Sequence, residues 1–143
     1  MTGGRGDEPP FPHPELGLTF WWDVRKLWSA DLPVVAMPVA ELEWVLEHPF
    51  WKDRAGRPTI SGSDVAARPA DHPEEYRRTM AADLSYPINV ILLNDRWVVM
   101  DGLHRLLKAR ILGESTILAK QARPADIPKF SRAWWEPHHH PPP

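Results

Sequence analysis

The segment DGLHRLLK concentrates charge where a turn leads into a helix. Asp101 and Gly102 lie in the turn. His104, Arg105 and Lys108 follow in the first two turns of the helix that we predict next. A helix N-terminus carries partial positive charge, so cations there are unfavourable unless an anion lies close by. Free N–H groups, basic side chains and a glycine that lets a ligand approach the backbone together predict a phosphate-binding site.

The same segment also has a purely structural interpretation. Asp101 could cap the helix by accepting a hydrogen bond from the N–H of His104. The side chain of His104 would then extend into solvent. Arg105 could pair with an acidic neighbour at the surface. From the residues alone, both interpretations stay open.

Two strands and a helix must position this turn. INVILL (88–93) is an apolar strand, and the turn NDR joins it to WVVM (97–100) as a hairpin. A helix is predicted over 103–112, with Gly113 as its stop, and STILAKQ (115–121) is predicted to form another strand. On the helix, the leucines face the sheet, so the cations face away from the core. This order predicts an α+β fold with a small mixed β-sheet covered by helices.

The upstream region contributes further elements. LTFWWDVRKLW (18–28) has helical spacing of its aromatic residues, so we predict a helix that packs aromatic surface on the body or exposes it to a partner. A β-branched strand follows in LPVVAMPV (32–39), and the stripe Leu42, Val45 and Leu46 predicts the next helix.

The middle of the chain alternates loop and helix signals. Residues 52–69 contain several glycines and prolines and predict a loop, with Ser61 or Ser63 capping one helical turn. Asp71 and Glu74 have the spacing of a capping box, which predicts the start of a helix that continues to residue 84.

Composition divides the chain into four parts. Gly, Pro and charge predict a disordered segment over 1–17, followed by a Trp-rich helical segment over 18–32 that packs on the body. The domain itself is expected over 33–128, and 129–143 is a tail rich in Trp, Pro and His. The run His138–His140 would bind metal only weakly and nonspecifically, so we predict no metal site.

Global composition excludes several classes of protein. At 143 residues with 43% hydrophobic residues, the chain supports one domain with a modest core. A net charge of −2 argues against tight binding of duplex DNA, and the absence of cysteine excludes disulfides and thiolate chemistry. The N-terminus has no apolar signal core, and no run approaches the roughly 18 apolar residues of a membrane span. We therefore expect a soluble, cytoplasmic protein that does not enter a membrane.

The segment PINVILLNDRWVVMDGLHRLLKARILGESTILAK (87–120) resembles the core of the ParB/sulfiredoxin superfamily. The likeness lies in the order of strand, turn, strand, D-G-x-H-R, helix and strand, and VAMPVAELEW upstream is similar to the opening strand and helix of that superfamily. The resemblance extends over about 33–128 and implies an α+β fold. It also implies that Gly102, His104 and Arg105 hold nucleotide phosphates.

Departures from the superfamily pattern restrict the activity. Sulfiredoxins carry their catalytic cysteine where this chain has Leu103, which excludes sulfinic acid reductase chemistry. Chromosome-partitioning ParB proteins have Glu at that position, Arg where this chain has His104, and a downstream helix-turn-helix domain, so we expect no centromere binding. The D-G-x-H-R spelling is also similar to free-serine kinases of the superfamily, which transfer a nucleotide's phosphate to a small hydroxyl compound.

A kinase of that kind needs a general base near the phosphate. The resemblance places an acidic residue in the region of Glu41 and Glu43, and Asp101 lies beside the phosphate turn. Each carboxylate could deprotonate a hydroxyl or hold Mg2+. Alternatively, Glu41 and Glu43 only favour the helix dipole from a solvated face.

Two hypotheses follow. The first is a regulatory or binding module that binds ATP, ADP or CTP and contacts a protein partner through FWW (20–22) and AWW (133–135). The second is a small nucleotide-dependent enzyme, either a phosphotransferase or a nucleotide hydrolase, that uses Mg2+ and an acidic residue. We favour the module because the sequence does not position an acid or a base.

Overall fold

The computed structural model describes residues 13–133. The strands in this range are β1 (Trp21–Trp22), β2 (Val34–Pro38), β3 (Trp51–Lys52), β4 (Pro58–Ile60), β5 (Ile88–Leu93), β6 (Arg96–Asp101), β7 (Thr116–Ala122) and β8 (Ser131–Arg132). The α-helices are α1 (Val24–Ser29), α2 (Gly62–Ala67), α3 (Pro73–Ala81) and α4 (Leu103–Leu112), and short 3-10 helices join several of these elements.

A mixed sheet of four strands forms the centre of the fold, in the order β2-β7-β5-β6. Strand β5 runs parallel to β7 and antiparallel to β6, and β2 is antiparallel to β7. Two-stranded pairs, β1 with β8 and β3 with β4, flank it. The predicted α+β class with a small mixed sheet is confirmed.

Both faces of this sheet are covered by apolar side chains. Val90 and Val99 belong to one buried cluster, which includes residues of α2 and α4, whereas Ile91 and Val98 belong to a second cluster. Neighbouring residues of a strand point to opposite faces, so a strand buried on both sides has a continuous apolar sequence. INVILL has that pattern for this reason.

The hairpin and the helix that follow agree closely with the sequence prediction. Asn94 and Asp95 both have positive φ, as a tight two-residue hairpin turn requires. Helix α4 spans Leu103–Leu112 and ends at Gly113, which has φ 75°. The predicted hairpin, the predicted helix over 103–112 and its glycine stop are confirmed.

The predicted helix over 18–28 is wrong in its first half. Trp21–Trp22 instead form β1 and pair with Ser131–Arg132 of β8. Asp23 then caps α1, because its side chain accepts hydrogen bonds from the N–H groups of Arg25 and Lys26. A capped helix start prevents the helix from extending backwards through the tryptophans.

Two other segments differ from their predictions. The helix predicted after β2 consists of 3-10 turns, Val39–Glu41 and Glu43–Glu47, although its stripe of Leu42, Val45 and Leu46 is buried as expected. The loop predicted over 52–69 also contains β4 and the second residue of β3, which were not expected, whereas the helical turn predicted within it is present as α2.

The two predicted helix caps have different outcomes. Ser61 caps α2 in a capping box with Asp64, as one of the two predicted serines. Asp71 does not cap α3, because it lies in a 3-10 turn and the helix begins at Pro73. Proline is favourable at the first helical position, where its missing N–H has no partner to lose.

The ends of the described range are more structured than predicted. Pro14–Leu16 form a 3-10 turn with Leu16 buried, so the expected disordered segment over 1–17 is wrong for 13–17. Phe130 is buried, and Ser131–Arg132 form β8 within the expected tail over 129–143. The Trp pair at 134–135 and the His run at 138–140 lie outside the described residues. Within 13–133, none of the helices has the length and apolar character needed to cross a membrane.

Candidate functional site

Gly102 occupies the turn between β6 and α4 because of packing. Its φ is 111°, and a Cβ added there would lie 2.5 Å from Cγ2 and 2.8 Å from Cβ of Ile88. It is the N-cap of α4 and provides no side chain to cap the first helical N–H groups. The close approach that requires glycine is therefore made by strand β5.

Asp101 is the last residue of β6, and it does not cap α4 as the structural interpretation assumed. Its Oδ2 accepts a hydrogen bond of 2.9 Å from Nε1 of Trp28 on α1 and one of 3.1 Å from Nδ2 of Asn89 on β5. The carboxylate thus connects α1 to the central sheet.

His104 lies against a buried carboxylate of the neighbouring helix. Its Nε2 is 2.8 Å from Oε1 of Glu75 on α3, and the side chain of Glu75 is only 5% exposed. The ring stacks on Trp51, with centroids 4.6 Å apart and planes inclined by 13°. The anion that His104 faces is therefore a residue of the protein.

Arg105 and Lys108, the other two basic residues predicted to bind phosphate, donate to backbone carbonyls. Nη1 of Arg105 donates a hydrogen bond of 2.7 Å to the carbonyl of Pro87, and its Nη2 is 3.9 Å from Oδ2 of Asp101. Nζ of Lys108 donates a hydrogen bond of 2.7 Å to the carbonyl of Ala82. The four residues predicted to bind phosphate, Gly102, His104, Arg105 and Lys108, are therefore divided. Arg105 faces one side of the turn, whereas His104 contacts α3 and Lys108 contacts the C-terminal end of α3.

A cavity of about 390 Å3 opens on the Arg105 side of the turn. Its lining combines aromatic, cationic, acidic and amide side chains. The residues are Trp28, Tyr86, Pro87, Asn89, Asp101, Arg105 and Lys120. The volume falls within the range of roughly 300–1,000 Å3 that is typical of small-molecule sites.

The register of the central sheet brings three polar residues of the cavity lining together. Asn89 of β5 pairs with Asp101 of β6 on one side and with Lys120 of β7 on the other. Residues paired across neighbouring strands lie on the same face, so these three polar side chains form a row across three strands. Asn89 is only 4% exposed, and its Oδ1 has no hydrogen-bond partner among the described residues.

Lys120 is a cavity residue that the sequence interpretation missed. Its Nζ donates hydrogen bonds of 2.8 Å and 3.2 Å to the carbonyls of Trp28 and Leu27, at the end of α1. Burial lowers the pKa of Lys120, and the charge of Asp31 partly opposes this shift. The sequence feature that could have identified Lys120 is a lysine within the predominantly uncharged strand TILAKQA.

The other two predicted catalytic residues are not in the cavity. Glu41 is exposed at the end of the 3-10 turn Val39–Glu41, and Glu43 begins the next one. Neither residue lines the cavity. The structure does not bring them together with Asp101.

Comparison with known proteins adds a structural likeness. No family model matches the chain, and no curated protein matches it. Among solved structures, the chain is similar to sulfiredoxin from Arabidopsis thaliana, with 19% sequence identity and a TM-score of 0.38. The alignment covers 64% of this chain and 85% of that one.

Proposed function

We propose that this chain is a nucleotide-binding module and that the nucleotide occupies the cavity beside Asp101 and Arg105. The observation that carries the proposal is the composition of that cavity: two cations and two exposed aromatic rings. A nucleotide offers a complementary group to each of them.

The phosphate end of the proposed ligand faces Arg105 and Lys120. Two cations against the single carboxylate of Asp101 leave one net positive charge on the cavity lining. A guanidinium has five N–H donors and an ammonium has three. Only part of this capacity is used by the carbonyls of Pro87, Leu27 and Trp28. The remaining donors favour an anion that accepts several hydrogen bonds, as a phosphate does.

The base end of the ligand faces the aromatic residues. Trp28 is 42% exposed and Tyr86 is 64% exposed, so both offer ring surface for stacking. Asn89 turns its NH2 group toward Asp101, which leaves its Oδ1 as an acceptor.

The position of the cavity supports a regulatory role. Trp28 belongs to α1, whereas the other lining residues belong to the central sheet, to the start of α4 or to the chain just before β5. A ligand that contacts both sides would hold α1 more firmly against the sheet. A partner that contacts the Trp-rich segment would then bind the loaded and empty forms differently, as coupling between two sites requires.

An enzymatic alternative rests on Asp101. It is the one carboxylate among the lining residues, and it lies 3.9 Å from the guanidinium of Arg105. In this position it could hold Mg2+ or accept a proton from a hydroxyl group, which suits a phosphotransferase or a nucleotide hydrolase. The donors Trp28 and Asn89 hold Oδ2 in place, so the second oxygen would have to act.

Titration of the full chain with ATP, ADP and CTP, each with and without Mg2+, tests the proposal. We expect saturable binding of one nucleotide per chain, a change in tryptophan fluorescence that the Trp28→Phe variant lacks, and no released product. Product release would favour the enzymatic alternative. Absence of binding for all three nucleotides would contradict both.

A further inference from the structure

A second cluster of polar side chains lies apart from the cavity, where the N-terminal segment meets the end of a 3-10 helix. Oε1 of Glu15 is 3.0 Å from Nε2 of His48 and 3.6 Å from Nδ1 of His13. One ligand atom from each of the three residues lies within 4.8 Å of the other two. Residues 35 positions apart in the sequence thus bring two imidazoles to one carboxylate.

These distances are close to those of a metal site. Zn–N and Zn–O bonds of about 2.0–2.1 Å at tetrahedral angles place neighbouring ligand atoms about 3.3 Å apart. The two separations from Oε1 of Glu15, 3.0 Å and 3.6 Å, lie on either side of that value, and the ligand atoms of His13 and His48 lie within 4.8 Å of each other. Two His and one Glu form a ligand set that zinc uses with a water at the fourth position.

The surrounding structure holds the two imidazole rings in place. Phe50 contacts both rings nearly edge to face, with centroids 4.9 Å from His13 and 4.5 Å from His48. The backbone of His13 exchanges hydrogen bonds with Leu18, whose side chain is fully buried. Burial, together with the nearby His48, lowers the pKa of His13, although Glu15 opposes this shift.

We propose that His13, Glu15 and His48 bind a Zn2+ ion, with a water molecule completing the tetrahedron. The ion would join the Pro14–Leu16 turn to the end of the 3-10 helix Glu43–Glu47. This zinc site is separate from the proposed nucleotide site, because none of its three ligands lines the cavity.

The test must separate this site from the histidines at 138, 139 and 140, which are a rival metal-binding sequence. The starting protein is therefore the full chain with all three of those histidines changed to alanine. Zn2+ affinity is measured by competition with a chromophoric chelator, and thermal unfolding is recorded with Zn2+ and with excess chelator.

We expect the starting protein to bind one Zn2+ and to melt at a higher temperature with Zn2+ than with chelator. Changing an outer-shell partner of a metal ligand typically costs 10- to 100-fold in affinity, so losing a ligand in His13→Ala or His48→Ala should cost at least about tenfold. The matched control, His72→Ala, removes a partly buried histidine that lies outside the cluster and should leave Zn2+ affinity unchanged.

Two results would overturn the proposal. One is that the starting protein binds no Zn2+, which assigns all binding to the tail histidines. The other is that His13→Ala and His48→Ala retain its full affinity. Melting in chelator shows whether each variant is folded. If an alanine variant is unfolded in chelator, Glu15→Gln replaces it. The amide of this variant keeps a hydrogen-bond acceptor for His48 but removes the anionic ligand. Unchanged Zn2+ affinity in folded Glu15→Gln would likewise overturn the proposal.

Discussion

Each basic side chain of α4 that the sequence left without a counter-group has a partner in the fold. His104 binds the buried carboxylate of Glu75, and Arg105 and Lys108 bind backbone carbonyls. Buried charges and polar groups are stable only when paired, so part of the charge in this segment is structural. Arg105 combines that structural contact with a place in the cavity.

Gly102→Ala should destabilise the protein strongly. The new Cβ would lie 2.5 Å from Cγ2 of Ile88 at a φ of 111°, so it adds a steric clash to backbone strain. Gly113→Ala is the matched control, since its φ is 75° and nothing lies within 4 Å of its added Cβ. Backbone strain alone costs about 1–2 kcal/mol. Urea unfolding should show a clearly larger loss for Gly102→Ala than for Gly113→Ala, and equal losses would contradict the packing explanation.

A double-mutant cycle tests the pairing of His104 with Glu75. Removing one partner leaves the other buried without its contact, so His104→Ala and Glu75→Ala should each destabilise the protein. The double variant should lose less than the sum of the two single variants, with a coupling of about 0.5–3 kcal/mol in the free energy of unfolding. Coupling near zero would show that the 2.8 Å contact contributes no stability. Nucleotide affinity should be unchanged in His104→Ala, because His104 does not line the cavity.

At the scale of the elements, strong local patterns were predictable and segments shaped by distant partners were not. Strand β5, helix α4 and its glycine stop follow from hydrophobic periodicity and turn chemistry. Trp21–Trp22 form a strand only because β8 lies beside them, and β8 comes more than a hundred residues later. A pairing over that sequence separation leaves no local signal.

The candidate site divides in the same way. The segment containing Asp101 and Arg105 was identified from residue types and spacing. Lys120 and Asn89 were not, because they join Asp101 only through the register of three strands. Register depends on tertiary contacts that a local pattern does not contain.

Helix α2 should show a pH-dependent cap. Hydrogen bonding from the backbone N–H of Ser61 is the largest cause that lowers the pKa of Asp64. A lowered pKa in the folded state means that the ionised carboxylate stabilises the fold above its unfolded pKa, and that this contribution is lost as the pH falls through the folded pKa. Asp64→Ala should therefore cost about 0.3–1 kcal/mol near neutral pH, as expected for an acidic residue in the first helical turn.

The same variant should differ much less from the parent in strong acid. Urea unfolding at neutral pH and well below the ordinary Asp pKa of about 3.9 measures both differences. A cost that stays constant across this range would assign the effect to the shape of the side chain and not to its charge.

At the scale of the whole molecule, charge and architecture bear on the proposed binding of a small ligand. The two faces of the central sheet are covered by two apolar clusters. Polar side chains from several elements meet at the cavity. The net charge of −2 provides no general attraction for a polyanion.

Binding to duplex DNA should accordingly be weak. Phosphate neutralisation requires a basic surface, and the excess of acidic residues opposes it at near-physiological salt. Fluorescence anisotropy with a labelled duplex should show no binding tighter than a dissociation constant of about 1 μM. Tighter binding under those conditions would contradict this prediction, whereas weak binding at low salt is compatible with it.

The most direct test of the central claim compares nucleotide affinity in Arg105→Ala and Lys108→Ala. Both side chains extend from α4 and donate to a backbone carbonyl, but only Arg105 lines the cavity. Loss of a charge-assisted phosphate contact should weaken binding about 10- to 100-fold in Arg105→Ala. Lys108→Ala should bind nucleotide as the parent does. Equal affinity of parent, Arg105→Ala and Lys108→Ala would show that the nucleotide does not use this cavity.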